Sequence, residues 1–370
     1  MHTFKNFKNF AEAQIDLSKP MTLLIGRNGS GKSNVIEGVE LLAELVKQRK
    51  VHEISDIGRG GRFEVRGSLA GCFKQGTDFF ELGCKDITTY GSNAKYSVKF
   101  NLKPTIHLES GVSIYGDGND DGDIDEYLNE LYNLFDEQGV SAFDIYPRIM
   151  RQYSPIGLTQ LSRNGENISS ILYYLKQNSP EILEKILQRI QQLPEEAFES
   201  FEFITTSDNS DILFALKYPN GEIISAKLLS DGTLRALAIL TALETVPEYS
   251  RIIIEEIDNG VHASRVNVLI DAIWEASNRR HLNTLITTHN PATLDSLNDE
   301  QLECVVVCHY DKESQSAKLT PFFELPNIDV LLQKGKLGGL VTRNAIEHYL
   351  DPEFEKQQAK IAKEWLESCQ

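Results

Sequence analysis

Three apolar runs punctuate the chain: Met21-Thr22-Leu23-Leu24-Ile25, Ile252-Ile253-Ile254 and Thr284-Leu285-Ile286-Thr287-Thr288. Each is short and uncharged, as a strand buried on both faces must be. After the first, Val35, Val39, Leu42 and Val46 recur on one stripe, with Ile36 and Ala43 beside it. That spacing predicts a helix. The basic Lys47-Gln48-Arg49-Lys50 suits its C-terminus. A second helix is predicted from about Ala263 to Ser277, after the isoleucine run. Strands alternating with helices imply an α/β fold with a mostly parallel sheet.

Other regions carry a different pattern. Phe4, Phe7 and Phe10 recur every three residues near the start, where a strand is predicted. Ile15 and Leu17 continue it to a turn at Ser18-Lys19-Pro20. From Arg62 to about Tyr115 the text consists of short β-like runs, Phe63 to Leu69, Phe79 to Leu82 and Tyr96 to Leu102. They predict an antiparallel sheet laid against the core, with Lys74-Gln75-Gly76-Thr77 as a longer hairpin loop. Helices are predicted over residues 168–175 and 180–192, with Ser179 as N-cap and Pro180 in the first turn. Strands return between Phe201 and Ala226, with a turn at Pro219-Asn220-Gly221. The tail from Pro326 reads as helical, ending in a mixed-charge helix over 353–367.

The end of the first apolar run carries chemistry. Gly26-Arg27-Asn28-Gly29-Ser30-Gly31-Lys32-Ser33 fits G-x-x-x-x-G-K-[ST] between a strand and a helix. Glycines let the backbone turn its N–H groups toward phosphate oxygens, and the helix start adds partial positive charge. Lys32 can reach the β- and γ-phosphates, and Ser33 can hold Mg²⁺. A chance glycine-rich turn would lack this strand–loop–helix context.

Glu255-Glu256 ends the isoleucine run, where ligands of open α/β sheets bind. One carboxylate there can hold Mg²⁺ and the next can orient or deprotonate water. An adjacent pair of glutamates is otherwise common on surfaces. His289 ends the third run, placed to contact a γ-phosphate; alone it would read as a histidine of a strand-to-helix turn. Leu229-Ser230-Asp231-Gly232-Thr233 opens another helix, a second N-terminus suited to an anion, or plain capping by Ser230 or Asp231.

Composition narrows the partners. The formal net charge of −17 opposes a broad phosphate-binding surface. Five scattered cysteines, Cys72, Cys84, Cys304, Cys308 and Cys369, form no C-x-x-C pair and suggest reduced thiols. Cys304 and Cys308 bracket an apolar run and read as core. Residues 117–137 are strongly acidic; without the full calcium-loop spacing they read as a solvated loop and short helix rather than a metal site. No run approaches the roughly 20 apolar residues of a membrane span, and no early segment has a signal-peptide layout. A cytoplasmic protein without membrane contact is expected.

The motifs, taken in order, resemble the ABC-type ATPases, and most closely the soluble branch of SMC, RecF and OLD-like proteins. Within that branch the chain resembles compact AAA-family ATPases found with bacterial anti-phage modules. The stretch Leu161 to Ile168 resembles their linker into a helical lobe. The resemblance implies a P-loop head with an antiparallel β subdomain and a helical signature lobe. It divides the chain into an N-terminal lobe (1–115), an acidic insertion with the signature lobe (116–245), a C-terminal lobe (246–310) and a tail (311–370).

The resemblance also implies roles. Gly26, Arg27, Asn28, Gly29, Ser30, Gly31, Lys32 and Ser33 would be Walker A, and Ser230, Gly232 and Thr233 the signature motif. Glu255, in place of the usual Asp, would join Ser33 at the metal, Glu256 would be catalytic, and His289 the switch histidine. Residues 259–262 would form the loop crossing a dimer interface. The family works as a head-to-tail pair enclosing two ATP molecules. Its Mg²⁺-linking glutamine has only Gln152 and Gln160 as candidates. No long heptad segment or room for an added nuclease domain is evident, so a nuclease or toxin effector would be a separate chain.

The leading expectation is therefore an ATP-hydrolysing protein that dimerises around ATP and signals to an effector in phage defence. The alternative is a repair-type ATPase clamping DNA, with Arg59, Arg62 and Arg66 lining a groove. The nucleotide-binding subunit of a membrane transporter ranks third.

Overall fold

The computed structural model describes residues 1–46, 65–89, 92–102, 107–115, 139–193 and 197–351. The acidic stretch 117–137, Arg59, Arg62, the basic run 47–50, Cys369 and the predicted helix over 353–367 lie outside them. Strands β1 (His2–Phe7) and β2 (Phe10–Ile15) form a hairpin that buries Phe4, Phe7 and Phe10 together. The three-residue spacing works because Asn6, near the end of β1, and Lys8, in the turn, both take φ of 51°, resetting the alternation between the rings.

β3 (Met21–Ile25) follows, then helix α1 (Lys32–Val46). β4 (Phe79–Thr89), β5 (Ser92–Asn101) and β6 (His107–Tyr115) join the hairpin in a five-stranded antiparallel sheet, order β2-β1-β4-β5-β6. Of the predicted run Phe63 to Leu69, residues 63 and 64 lie outside the described residues, and residues 65–69 form no strand. Arg66 to Ser68 form a turn, with Gly67 at φ 80°, and Leu69–Cys72 form a 3₁₀ helix. Val65 and Leu69 are buried anchors of that turn, which is why the run looked strand-like. Lys74 to Thr77 accordingly lead into β4 and close no hairpin.

β7 (Val140–Phe143) and the short helix α2 (Pro147–Met150) precede a helical lobe. That lobe holds β8 (Ser154–Pro155), helices α3 (Ile168–Asn178) and α4 (Pro180–Gln191), and strands β9 (Ser200–Thr205), β10 (Asp211–Lys217) and β11 (Ile223–Ser225). Ser179 stands at the N-cap of α4, but its side chain makes no capping bond. Helix α5 (Asp231–Thr245) leads back to β12 (Arg251–Ile254), α6 (Ala263–Arg280) and β13 (Asn283–Thr287). Helices α7 (Pro291–Asp295) and α8 (Asp299–Leu302), then β14 (Val305–Asp311) and β15 (Ser316–Pro321), complete the core. The tail adds α9 (Ile328–Gln333), α10 (Leu337–Thr342) and α11 (Ala345–Leu350).

The central sheet runs β15-β14-β3-β13-β12-β7, parallel throughout except for the edge strand β15. Side chains alternate between its faces. Met21, Leu23, Ile25, Ile252, Ile254 and Ile286 pack with α5, α6 and the helical lobe. Leu24, Ile253, Leu285, Val306 and Cys308 pack with α1 and the antiparallel sheet. Cys72, Cys84, Cys304 and Cys308 are buried and form no disulfide. Among the described residues no helix is long and apolar enough to cross a membrane.

Candidate functional site

Gly26 leaves β3 at φ 144°, and a Cβ there would stand 2.1 Å from the Cys308 carbonyl oxygen. Only glycine permits both. The loop exposes Arg27, Asn28 and Gly29, buries Ser30 and Gly31, and enters α1 at Lys32 and Ser33. Asn9 braces it from behind: its Nδ2 donates to the Ser30 carbonyl at 2.9 Å, and its Oδ1 accepts from Asn34 Nδ2 at 2.8 Å. Lys32 Nζ donates to the carbonyls of Gly26 (2.6 Å) and Arg27 (3.0 Å). Burial lowers its pKa, while Cys308 and Glu256 pull it back up.

Glu255 and Glu256 follow β12. Glu255 N–H donates to the carbonyl of Phe143, the last residue of β7, at 3.2 Å. Burial, then Asp144 just beyond β7, raises its pKa; Arg163 opposes them, with its Nη2 3.7 Å from Glu255 Oε1. Arg163 is paired more closely with Glu40 of α1. Glu256 is exposed and holds φ 47°, a left-handed backbone that non-glycine residues rarely adopt. Thr287 Oγ1 accepts from its N–H at 2.9 Å, and Asn259 Nδ2 donates to its Oε2 at 3.1 Å. A cavity of about 450 Å³ is lined by Asp144, Tyr146, Asp231, Arg235, Glu255 and Glu256, among others.

His289 lies just beyond β13. Partial burial, then the charge of Lys32, lowers its pKa, with Glu256 and Asp258 acting in the opposite sense. Its imidazole is thereby favoured in the neutral form. Asp258 is buried and accepts from Thr288 Oγ1 at 2.5 Å and from Thr293 Oγ1. Asn290 caps α7, accepting from Ala292 N at 3.0 Å. A small cavity of about 110 Å³ touches Gly26, Arg27, Thr288 and His289, so the phosphate loop and the histidine turn share a wall.

Ser230 is the N-cap of α5. Its Oγ accepts from Thr233 N at 3.1 Å and lies 2.7 Å from Thr233 Oγ1. Arg151 donates to the Leu229 carbonyl (2.7 Å) and to Asp231 Oδ1 (2.5 Å). A Cβ on Gly232 would come within 2.7 Å of the Gly260 carbonyl. The helix start thus rests directly on the turn 259–262.

The structure brings Lys32, Glu256 and His289 into one electrostatic neighbourhood. Ser230 stays at the surface, while Thr233 is buried. Gln152 and Gln160 are exposed and do not line the cavity at Glu255. Asp144, Arg163, Glu40 and Asp258 surround the carboxylate motif and were not singled out by sequence reasoning. The end of β7 beside the Walker-B-like strand would have pointed to Asp144, and Arg163 lies in the linker stretch Leu161 to Ile168; nothing local points to Glu40 or Asp258. Among the described residues no three His, Cys, Asp or Glu side chains form a metal cluster. A hydroxyl at a helix start, Ser33, and a carboxylate at a strand end, Glu255, are hard oxygen donors. They fit Mg²⁺ completed by phosphate oxygens and water.

Three comparisons bear on this geometry. A family model described as "AAA domain, putative AbiEii toxin, Type IV TA system" matches residues 21–295. The DNA replication and repair protein RecF of Gloeobacter violaceus is 44% identical over 55 residues, 15% of each chain. RecF of a Picosynechococcus species is 41% identical over 62 residues, 17% of this chain and 16% of that one. The chain thus spans about 15% of the length of the curated relatives it matches. A solved Smc head bound to the C-winged-helix domain of ScpA is similar in fold, with a TM-score of 0.53 and 13% identity. That likeness covers 86% of this chain and 95% of the other.

Proposed function

This chain belongs to the AbiEii-type AAA-domain family, within the ABC-type ATPases of the SMC and RecF branch, and from that premise we propose that it hydrolyses ATP between two copies of itself. The observation that carries the reading is the convergence of Lys32, Glu256 and His289 beyond the carboxyl ends of β3, β12 and β13. Backbone N–H groups of residues 26–31 and Lys32 hold the phosphates. Ser33 and Glu255 would hold Mg²⁺, which when bound screens the phosphate charge. Glu256 accepts the proton of a water that attacks the γ-phosphorus. The bond from that phosphorus to the β–γ bridging oxygen breaks, leaving ADP and phosphate. Neutral His289 contacts the γ-phosphate and reports its presence. Ser230, exposed at the start of α5, faces the nucleotide of the second copy, and the buried Gly232 and Thr233 of the same signature motif hold that helix start in place.

On this reading residues 1–115 and 246–310 are the two nucleotide-binding lobes, residues 116–245 carry the signature, and residues 311–370 form a tail. We further propose a cytoplasmic ATPase that passes its nucleotide state to a separate effector in phage defence; the family's toxin–antitoxin description supports only a place in a system of that general kind. The test is Glu256→Gln. We expect hydrolysis to fall by about 10² or more while ATP still drives pairing, seen as a doubled mass. Undiminished hydrolysis without ATP-dependent assembly contradicts the mechanism.

The RecF likeness favours a second reading, a repair-type ATPase that binds DNA. Against it stand the net charge of −17 and the engagement of Arg66, whose Nε and Nη2 both donate to Glu37 at 3.2 Å. Salt-sensitive duplex binding in ATP supports this reading, and absent binding removes it.

A further inference from the structure

Glu255 is faced by a cation that reaches it from the helical lobe. Arg163 Nη2 stands 3.7 Å from Glu255 Oε1, too long for a hydrogen bond, and 3.2 Å from Glu40 Oε2. The Glu40 side chain is 8% exposed. The backbone around Arg163 is pinned as well. Its carbonyl accepts from Asp144 N at 2.9 Å, and the Asn164 carbonyl accepts from Tyr146 N at 3.1 Å. Four residues after Asn164 the chain enters α3. One guanidinium therefore joins three parts: the helix that begins with Lys32 and Ser33, the end of β12, and the entry to the helical lobe.

The two contacts are unequal. Toward Glu40 the arginine is hydrogen-bonded by both terminal nitrogens. Toward Glu255 it supplies charge without occupying the carboxylate's lone pairs, which are left available to a harder cation. Asp144, Asp231, Glu255 and Glu256 line one cavity there, four carboxylates facing the guanidinium of Arg235 with Arg163 beside Glu255. A second cation entering there would repel Arg163 and leave it a ready partner in Glu40.

We propose that Arg163 is a positioning residue that competes with a divalent cation for Glu255. It holds the carboxylate when no cation is bound and is drawn wholly onto Glu40 when one arrives. Metal loading is thereby transmitted along residues 163–168 to the helical lobe, without an amide ligand. The inference rests on the assignment of Glu255 as a metal ligand.

Competition and simple stapling predict different signs. If the ion pairs only staple the lobe, breaking either partner damages the site and weakens metal binding. Under competition, Arg163→Met removes the rival and tightens binding. Glu40→Gln removes the rival's alternative partner and weakens it. The experiment is a Mn²⁺ titration of the full chain with saturating adenylyl imidodiphosphate, read by the electron paramagnetic resonance of free Mn²⁺. Arg163→Met is expected to lower half-saturating Mn²⁺ roughly three- to tenfold, the scale of one nearby charge in partly screened surroundings. Glu40→Gln is expected to raise it. The double variant, which leaves no unpaired buried carboxylate, stays below wild type and serves if Arg163→Met does not fold. Shifts of the same sign in the two single variants, or no shift in Arg163→Met or the double variant, overturn the proposal. Glu255→Ala must release the bound Mn²⁺. If it binds like wild type, the metal assignment itself fails and the proposal with it. If it releases Mn²⁺ while Arg163→Met does not tighten binding, the proposal alone fails.

Discussion

Asp258 accepts a hydrogen bond from Thr288 Oγ1 at 2.5 Å, tying the turn that carries Glu256 to the turn that carries His289. A second hydroxyl, Thr293 Oγ1, reaches the same carboxylate oxygen. Asp258→Ala should therefore loosen both turns at once. We expect kcat for ATP to fall about 10- to 100-fold, because catalytic groups displaced by about 1 Å lose that much, with KM changed less than about threefold. Loss of the two bonds to a charged acceptor should cost about 2–4 kcal/mol in urea unfolding. Steady-state kinetics beside a denaturation curve checks both; an unchanged kcat contradicts the prediction.

Lys32 is the donor aimed into the phosphate loop. Its Nζ now satisfies the carbonyls of Gly26 and Arg27, contacts that a triphosphate would replace. Lys32→Ala should abolish ATP binding by calorimetry and ATP-dependent pairing by light scattering. Pairing retained with ATP would show that assembly does not run through this loop.

Gly232 tests the other half of the proposed site. A methyl there meets the Gly260 carbonyl at 2.7 Å and must push the turn 259–262 outward. Gly232→Ala should leave ATP affinity within about twofold, since the added methyl meets Gly260 and Val261 and none of residues 26–33. ATP-dependent pairing should weaken by about tenfold or more, the effect of 1–2 kcal/mol of displaced backbone. Equal loss of both properties would refute a division of labour between the two motifs.

His2 gives a pH prediction. It is 2% exposed, and Arg251 Nη1 donates to its Nε2 at 3.2 Å. Burial first, then Arg251, holds its pKa well below the usual histidine value. Below about pH 6.5 the unfolded chain binds a proton that the native chain refuses. The contribution is thus complete above that pH and declines as acid is added, by at most about 1.4 kcal/mol per pH unit. Thermal melts between pH 5 and 7 should show a shallower acid loss in His2→Gln than in wild type; parallel slopes would exclude His2 as the source.

The parallel core was legible because its strands are uninterrupted apolar runs that end in chemically unusual residues. The same rule recovered β3, β12, β13 and the helices after the first two. Residues 65–69 differ from the predicted strand because Val65 and Leu69, with strand-like apolar spacing, anchor a turn around Gly67. Register-dependent neighbours were not legible. Arg163 and Glu40 are 123 residues apart, and no local periodicity links them. Asp144 acquires its place only because β7 pairs with β12, a long-range choice that a four-residue strand does not announce. Asp258 carries no local signal of its role, which comes from two threonine hydroxyls of the next turn that close over it.

Helix α5 offers a mechanical consequence. Every residue from Gly232 to Glu244 is buried, so the helix has no solvent face on which to roll. Its far end is gripped by Arg280, which donates to the carbonyls of Leu243 (2.6 Å) and Val246 (2.7 Å). At 1.5 Å per residue its 15 residues span about 22 Å. An enclosed rod held at one end does not absorb a push by bending. A thrust on Ser230 and Asp231 would therefore be felt at Arg280, the last residue of α6.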